Sequence, residues 1–160
     1  MLIKKDNQGF LLVEALIGAS IVAIVVVAVL LAFSNGLRLA NRNSLATRAG
    51  FLTEEGVEVA RLIRDKGWDG SLGSWPNGTV YHLVFSDGTW STTTTGSLIG
   101  GLFDRTVAAS NVYRDGNNDI ASSGALDPNT KKITVNVNWR SGSATTTVSL
   151  QAYLTNLFDD

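Results

Sequence analysis

Glu14 is the only charged residue between Phe10 and Phe33. A lone carboxylate in an apolar stretch can hold a cation where water is scarce. Such a group costs roughly 2.5–3.5 kcal/mol at the centre of a bilayer and less near an end, so its presence points to function. Two other groupings carry reactive atoms. Asp115, Asn117 and Asp119 stand at alternate positions, like the opening of a calcium loop built from hard oxygen ligands. Ile120 occupies the place of the loop glycine, however, and Leu126 that of the closing bidentate glutamate. An Asn- and Gly-rich turn between strands is the alternative reading. His82 is the only histidine, and no G-x-S-x-G-type nucleophile accompanies it. A general base needs a nucleophile and an orienting group. His82 is therefore expected to be a packed or half-exposed strand residue, and the chain is read as not being an enzyme.

The elements that must position these groups begin with the apolar stretch. As a helix, Phe10 to Phe33 would be about 36 Å long, enough to cross a hydrocarbon core. Valine and isoleucine dominate its centre and no proline interrupts it. Lys4 and Lys5 precede it and favour a cytoplasmic N-terminus, although Arg38, Arg42 and Arg48 follow on the other side. A cleaved signal peptide ending at Ala32-Phe33-Ser34 is the main rival; the run is too long for that and contains Glu14.

Apolar positions then continue at Leu45, Ala49, Phe51, Leu52, Val59, Ala60 and Ile63, the spacing of one amphipathic helix face. Charged residues from Arg38 to Asp65 fill much of the other face. Arg64 and Lys66 suit a helix C-terminus, and Gly67 suits the residue beyond it. Ser34-Asn35-Gly36 is a place where the helix could loosen, and Gly56 costs about 1 kcal/mol relative to alanine. The pattern predicts a single long helix over 10–66.

Beyond Gly67 the period becomes two. Val80 to Phe85 is apolar on both sets of alternate positions apart from His82, which predicts a strand buried on both faces or nearly so. Asp87-Gly88 then turns the chain toward Trp90. Ile133, Val135, Val137 and Trp139 alternate with polar residues. Ser141-Gly142 makes a turn, and Val148, Leu150, Ala152 and Leu154 supply the matching strand. Phe103, Arg105 and Val107 start a further strand continued by Asn111-Val112-Tyr113. Thr92–Thr95 reads as a polar loop or edge, and Asn77-Gly78-Thr79 matches a glycosylation sequon. Trp139 reads as core. Trp68 and Trp75 lie in a Gly/Ser-rich connection expected to tuck over the helix end. The fold class is α+β: a long N-terminal helix laid on an antiparallel sheet.

Gly9-Phe10-Leu11-Leu12-Val13-Glu14, behind a short leader carrying Lys4 and Lys5, resembles the processing and assembly signature of type IV prepilins. The resemblance implies cutting after Gly9 by a membrane prepilin peptidase on the cytoplasmic side, followed by methylation of the new amine of Phe10. It implies that Glu14 then pairs with the N-terminal amine of a neighbouring subunit as a helical filament grows from an inner-membrane assembly platform. Losing one partner of a buried ion pair costs roughly 3–5 kcal/mol, so such a pair would set the stagger between subunits. Leu31 stands where major pilins often carry a helix-bending proline, and the disulfide many of them close cannot form without cysteine. The resemblance is therefore nearest to minor pilins and pseudopilins. It implies a leader over 1–9, a membrane and filament-core half-helix over 10–33, an amphipathic half over 34–66 and an extracellular head over 67–160.

The composition narrows the alternatives. The chain has 160 residues, a net charge of −1 and no cysteine. That excludes a catalytic thiol and a Cys-based metal site, and gives no global attraction to nucleic acid. Arg61, Arg64 and Asp65 read as a solvated, charge-balanced helix face. No cofactor is expected, calcium at Asp115, Asn117 and Asp119 being the one candidate. A membrane-anchored binding module or adhesin that never polymerises is the competing function.

Overall fold

The computed structural model describes residues 8–157; Lys4 and Lys5 lie outside the described residues. Helix α1 spans Gln8–Asp65, 58 residues. The chain divides into two compact units between Ser44 and Leu45.

In the first unit α1 runs unbroken through Ser34-Asn35-Gly36, so the loosening allowed there does not occur. From Phe10 to Ser44 only Ser34 is as much as half-buried. Ser20 donates its hydroxyl hydrogen bond to the Leu16 carbonyl at 2.7 Å, which satisfies the hydroxyl within the helix.

The second unit is α+β, with the end of α1 packed on an antiparallel sheet. Its strands are β1 (Val80–Ser86), β2 (Thr89–Thr93), β3 (Asp104–Arg114), β4 (Ile120–Ala121), β5 (Ala125–Ser141) and β6 (Ala144–Thr155). The order across the sheet is β2-β1-β3-β5-β6, with the short β4 added to β3. Asp87 and Gly88 both have positive φ, 52° and 76°, as a tight two-residue hairpin requires. The β5–β6 ladder runs from Thr130↔Thr155 to Ser141↔Ala144 without a shift, and it sets Ile133, Val135 and Val137 against Ala152, Leu150 and Val148. Between β3 and β5 the register jumps: Asn111 faces Lys131 while Val112 faces Asp127. Pro128 sits in the extra chain, where its missing N–H removes no ladder bond.

The buried face of α1 is Ala49, Thr53, Gly56, Val57, Val59, Ala60 and Ile63. Phe51 is not part of it: it is 65% exposed. At 100° per residue, two steps carry Phe51 about 200° from Ala49, to the opposite side of the helix. Thr53 belongs inside because its hydroxyl donates to the Gly50 carbonyl at 2.7 Å. Gly56 lies where the helix backbone meets the sheet. A Cβ there would stand 2.7 Å from Val135 Cγ1 and 3.3 Å from Cγ2.

Two clusters fill the space between helix and sheet. Val57, Ala60, Ile63, Val107, Ile133 and Val135 belong to one, and Ala49, Phe103, Val137 and Trp139 make the other. Trp68 and Trp75 close the first cluster beyond the helix end, each 8% exposed. Trp68 Nε1 donates to the Pro128 carbonyl at 3.2 Å, and the Trp75 ring lies 4.9 Å from that of Tyr81. Lys131 Nζ ties the same connection down, donating to the Trp75 carbonyl at 3.3 Å and to Asn111 Oδ1 at 2.9 Å.

Strand β1 is not buried on both faces. Only Leu83 is buried, while Val80 and Phe85 are 51% and 59% exposed. β1 meets β3 only over Val80–His82; its second half pairs with β2 alone and projects past the core.

Helix propensity alone would make Gly56→Ala stabilising by about 1 kcal/mol. The contact with Val135 reverses that sign: thermal unfolding should show a loss of about 1–3 kcal/mol. Adding Val135→Ala should return part of the loss.

Candidate functional site

Glu14 and Phe10 are four residues apart on α1 and so share a face. With Val13 and Ile17 they line one shallow cleft along the exposed helix. Phe10 is 76% exposed, and Leu12, Leu16 and Val22 are exposed to similar degrees. No hydrogen bond or ion pair reaches Glu14 from the described residues. The nearest described cation in sequence is Arg38, about 36 Å away along a helix at 1.5 Å per residue. The cation that Glu14 would need inside an apolar layer is therefore not supplied by the described part of its own chain. Gly9 and Phe10 both lie on α1.

Asp115 and Asp119 are brought to one tight turn between β3 and β4. Asp115 Oδ1 accepts the amides of Asn117 at 2.9 Å and Asp119 at 3.0 Å. The Asp115 amide donates to the Asp119 carbonyl, and the Asn118 amide to that of Asp115, both at 3.0 Å. One carboxylate oxygen of the candidate calcium set is thus already used by the backbone. Among the described residues no three His, Cys, Asp or Glu side chains converge as a metal site.

His82 Nδ1 lies 3.3 Å from Asp104 Oδ1, off the line a hydrogen bond needs. The Gly96 backbone packs over its ring: a Cβ at Gly96 would lie 3.0 Å from Cε1. Its cross-strand neighbours are Thr93 and Thr106.

The sequence reading passed over two charged contacts in the head. Arg105 is 4% exposed on the helix side of β3. Its Nη1 reaches Glu55 Oε2 at 2.9 Å and the Leu52 carbonyl at 3.4 Å, and its guanidinium carbon lies 5.4 Å from the Trp90 ring centre. The signal was a charge at an inward position of Phe103-Arg105-Val107. Arg114 Nε meets Asp127 Oδ2 at 2.6 Å, and Nη1 donates to the Asn118 carbonyl at 2.9 Å, bracing the turn that carries Asp115 and Asp119. Burial pushes the Asp127 carboxyl up. Hydrogen bonds from Arg114 and the Asn129 amide outweigh it and hold the group below its ordinary value.

No protein-family model, curated protein or solved structure matches the chain. The described chain contains one helix long and apolar enough to cross a membrane, near the N-terminus, which is compatible with a single-pass membrane protein.

Because the folded value of Asp127 is depressed, its contribution to stability is present above the ordinary aspartate value of about 3.9 and is lost as pH falls through the folded value. Asp127→Asn should flatten the fall in stability below about pH 4, measured by denaturant titration at stepped pH. Calcium titration should leave the melting temperature of the chain unchanged. A shift abolished by Asp115→Asn would instead establish the turn as a binding site.

Proposed function

We propose that this chain is a prepilin-like structural subunit, processed at Gly9-Phe10 and assembled through α1 into a pilus or pseudopilus, in the manner of a minor pilin or pseudopilin. The observation that carries the reading is Glu14, without a cationic partner among the described residues, near the start of an apolar helix uncovered over 10–33. A lipid layer or a bundle of like helices can cover the valines, isoleucines and leucines. Only a cation delivered at the right depth answers the carboxylate. An amine newly exposed at Phe10 of another copy is such a cation. The Phe10 nitrogen and Glu14 are separated by about 6 Å of helix rise, so an axial offset of about one turn brings one copy's amine level with the next copy's carboxylate. A slip by a further turn would leave both charges unpaired in an apolar medium.

The rest of the chain suits this role. The sheet of the second unit gives the amphipathic end of α1 a fixed seat. In this reading the partners are the prepilin peptidase, further subunits and an inner-membrane assembly platform. The head lies outside the membrane before assembly and on the filament afterwards.

Intact mass spectrometry of the chain, expressed with a prepilin peptidase, should find a species beginning at Phe10 and carrying one methyl group. Glu14→Val should be cut and methylated normally yet fail to enter sheared filaments. A product beginning near Asn35 would replace this reading with a cleaved signal peptide. Normal surface display of Glu14→Val, with no filament from either form, would favour the anchored binding module.

A further inference from the structure

The two edges of the sheet are guarded very differently. An open edge offers a row of unpaired N–H and C=O groups, and folded proteins blunt such rows with shortness, lysine, proline or a bulge. β2 has the first two defences: it is five residues long, and Lys66 Nζ donates to the Trp90 carbonyl at 3.1 Å. β6 has none. It runs for 12 residues as Ala-Thr-Thr-Thr-Val-Ser-Leu-Gln-Ala-Tyr-Leu-Thr, with no charge, proline or glycine. Its pairing to β5 shows no register shift, so no bulge turns it away. No strand among the described residues pairs with its outer side. Its apolar side is also incompletely covered: Leu150 is 37% exposed and belongs to neither core cluster.

We infer that β6 is a strand-pairing surface and that its occupant is the β6 of a second copy, antiparallel about a two-fold axis at Leu150. Three features select this occupant. First, an axis normal to the sheet keeps each face on its own side: Leu150 faces its own mate and Val148 faces Ala152, apolar against apolar, with Thr146 opposite Leu154 at the ends. On the wet side Ser149 faces Gln151, and Thr147 faces Tyr153. Second, a strand without charge brings no like charges together when it meets itself. Third, centring on Leu150 overlaps nearly the whole strand and covers the apolar side chain that the fold leaves open.

The contact is small by the standard of stable dimers, which bury about 1,200–2,000 Å² in total. It acts where copies facing each other are held at high local concentration, as between two opposed membranes or two filaments lying side by side in opposite senses. The two-fold axis reverses the packed helix segment 45–65 of the second copy. Heads that pair this way therefore approach from opposed directions, and the contact differs from stacking along a polar filament. It does not depend on processing at Gly9 or on Glu14.

The absence of native cysteine makes the register readable. Full-length chain in detergent micelles, carrying Leu150→Cys and oxidised, should give a disulfide-linked dimer on non-reducing electrophoresis. Thr146→Cys should not, because its distance from the axis keeps the two copies of that position far apart. Adding Gln151→Lys, at a side chain already exposed, should abolish the Leu150→Cys dimer and leave the circular dichroism spectrum unchanged. Equal cross-linking at 146 and 150, or none at 150 in a folded chain, would overturn the inference. So would a dimer that survives Gln151→Lys.

Discussion

An apolar helix that its own chain leaves bare is the constraint from which the rest of this molecule follows. From Phe10 to Phe33 α1 offers water an almost continuous hydrocarbon surface. Burial of such surface is favourable by about 25 cal/mol per Å², so lipid or other helices would stabilise the stretch. Backbone polar groups are already satisfied within the helix, which is why this element can enter an apolar layer at all. Glu14 is the one group in it that no apolar surrounding can satisfy. Inside an apolar layer the helix would therefore keep one electrostatic demand, at one depth, and in the proposed filament that demand would give an otherwise non-specific surface a preferred stagger.

The other end of α1 solves a different problem. Here the helix must lie close to a sheet, and closeness is achieved by removing a side chain at Gly56 rather than by adding apolar ones. Val135 fills the space a methyl would have taken. Trp68 and Trp75 then seal the cluster past the helix end, and their polar neighbours are used: the Pro128 carbonyl takes the Trp68 N–H, and the Trp75 carbonyl takes Lys131. Arg105 joins helix to strand through Glu55, with Trp90 beside it. Only Arg105 of the pair is buried, Glu55 being 44% exposed, so losing Glu55 would leave a buried guanidinium without its carboxylate, and the contact favours one seating of the helix over neighbouring ones.

Much of this was legible in the sequence where one periodicity acted alone. The β5–β6 hairpin follows from strict alternation on both sides of a turn, and the Asp87-Gly88 turn from the need for positive φ. α1 follows from the continuity of its helical period. The misreadings came where periodicity and environment parted. Phe51 looked like core by type, yet its angle places it outside. Val80 to Phe85 looked doubly buried because every residue but His82 is apolar, but burial also requires neighbouring strands, and β1 outruns β3. The first half of β5 was hidden by Pro128 and a polar run, since a bulge defeats alternation. For the candidate site, Glu14 stood out because it was a charge among apolar residues. Arg105 did not, because one charge in an alternating strand resembles a surface position until the partner Glu55, far away in sequence, is folded against it.

The order of elements along the chain has a kinetic consequence. Val57 and Ala60 are covered by Ile133 and Val135, which lie on one of the last two strands, and β5 sits between β3 and β6. A chain emerging N-terminus first therefore shows a sticky helix face long before its lid exists. Contacts between residues so far apart in sequence form slowly. Until β5 arrives, the amphipathic end of α1 lacks the cover of Ile133, Val135 and Val137 and has only β1, β3 and the Trp68–Trp75 connection to rest on, so a prematurely ended chain would be left with part of its greasy stripe bare, which quality-control proteases and chaperones readily detect.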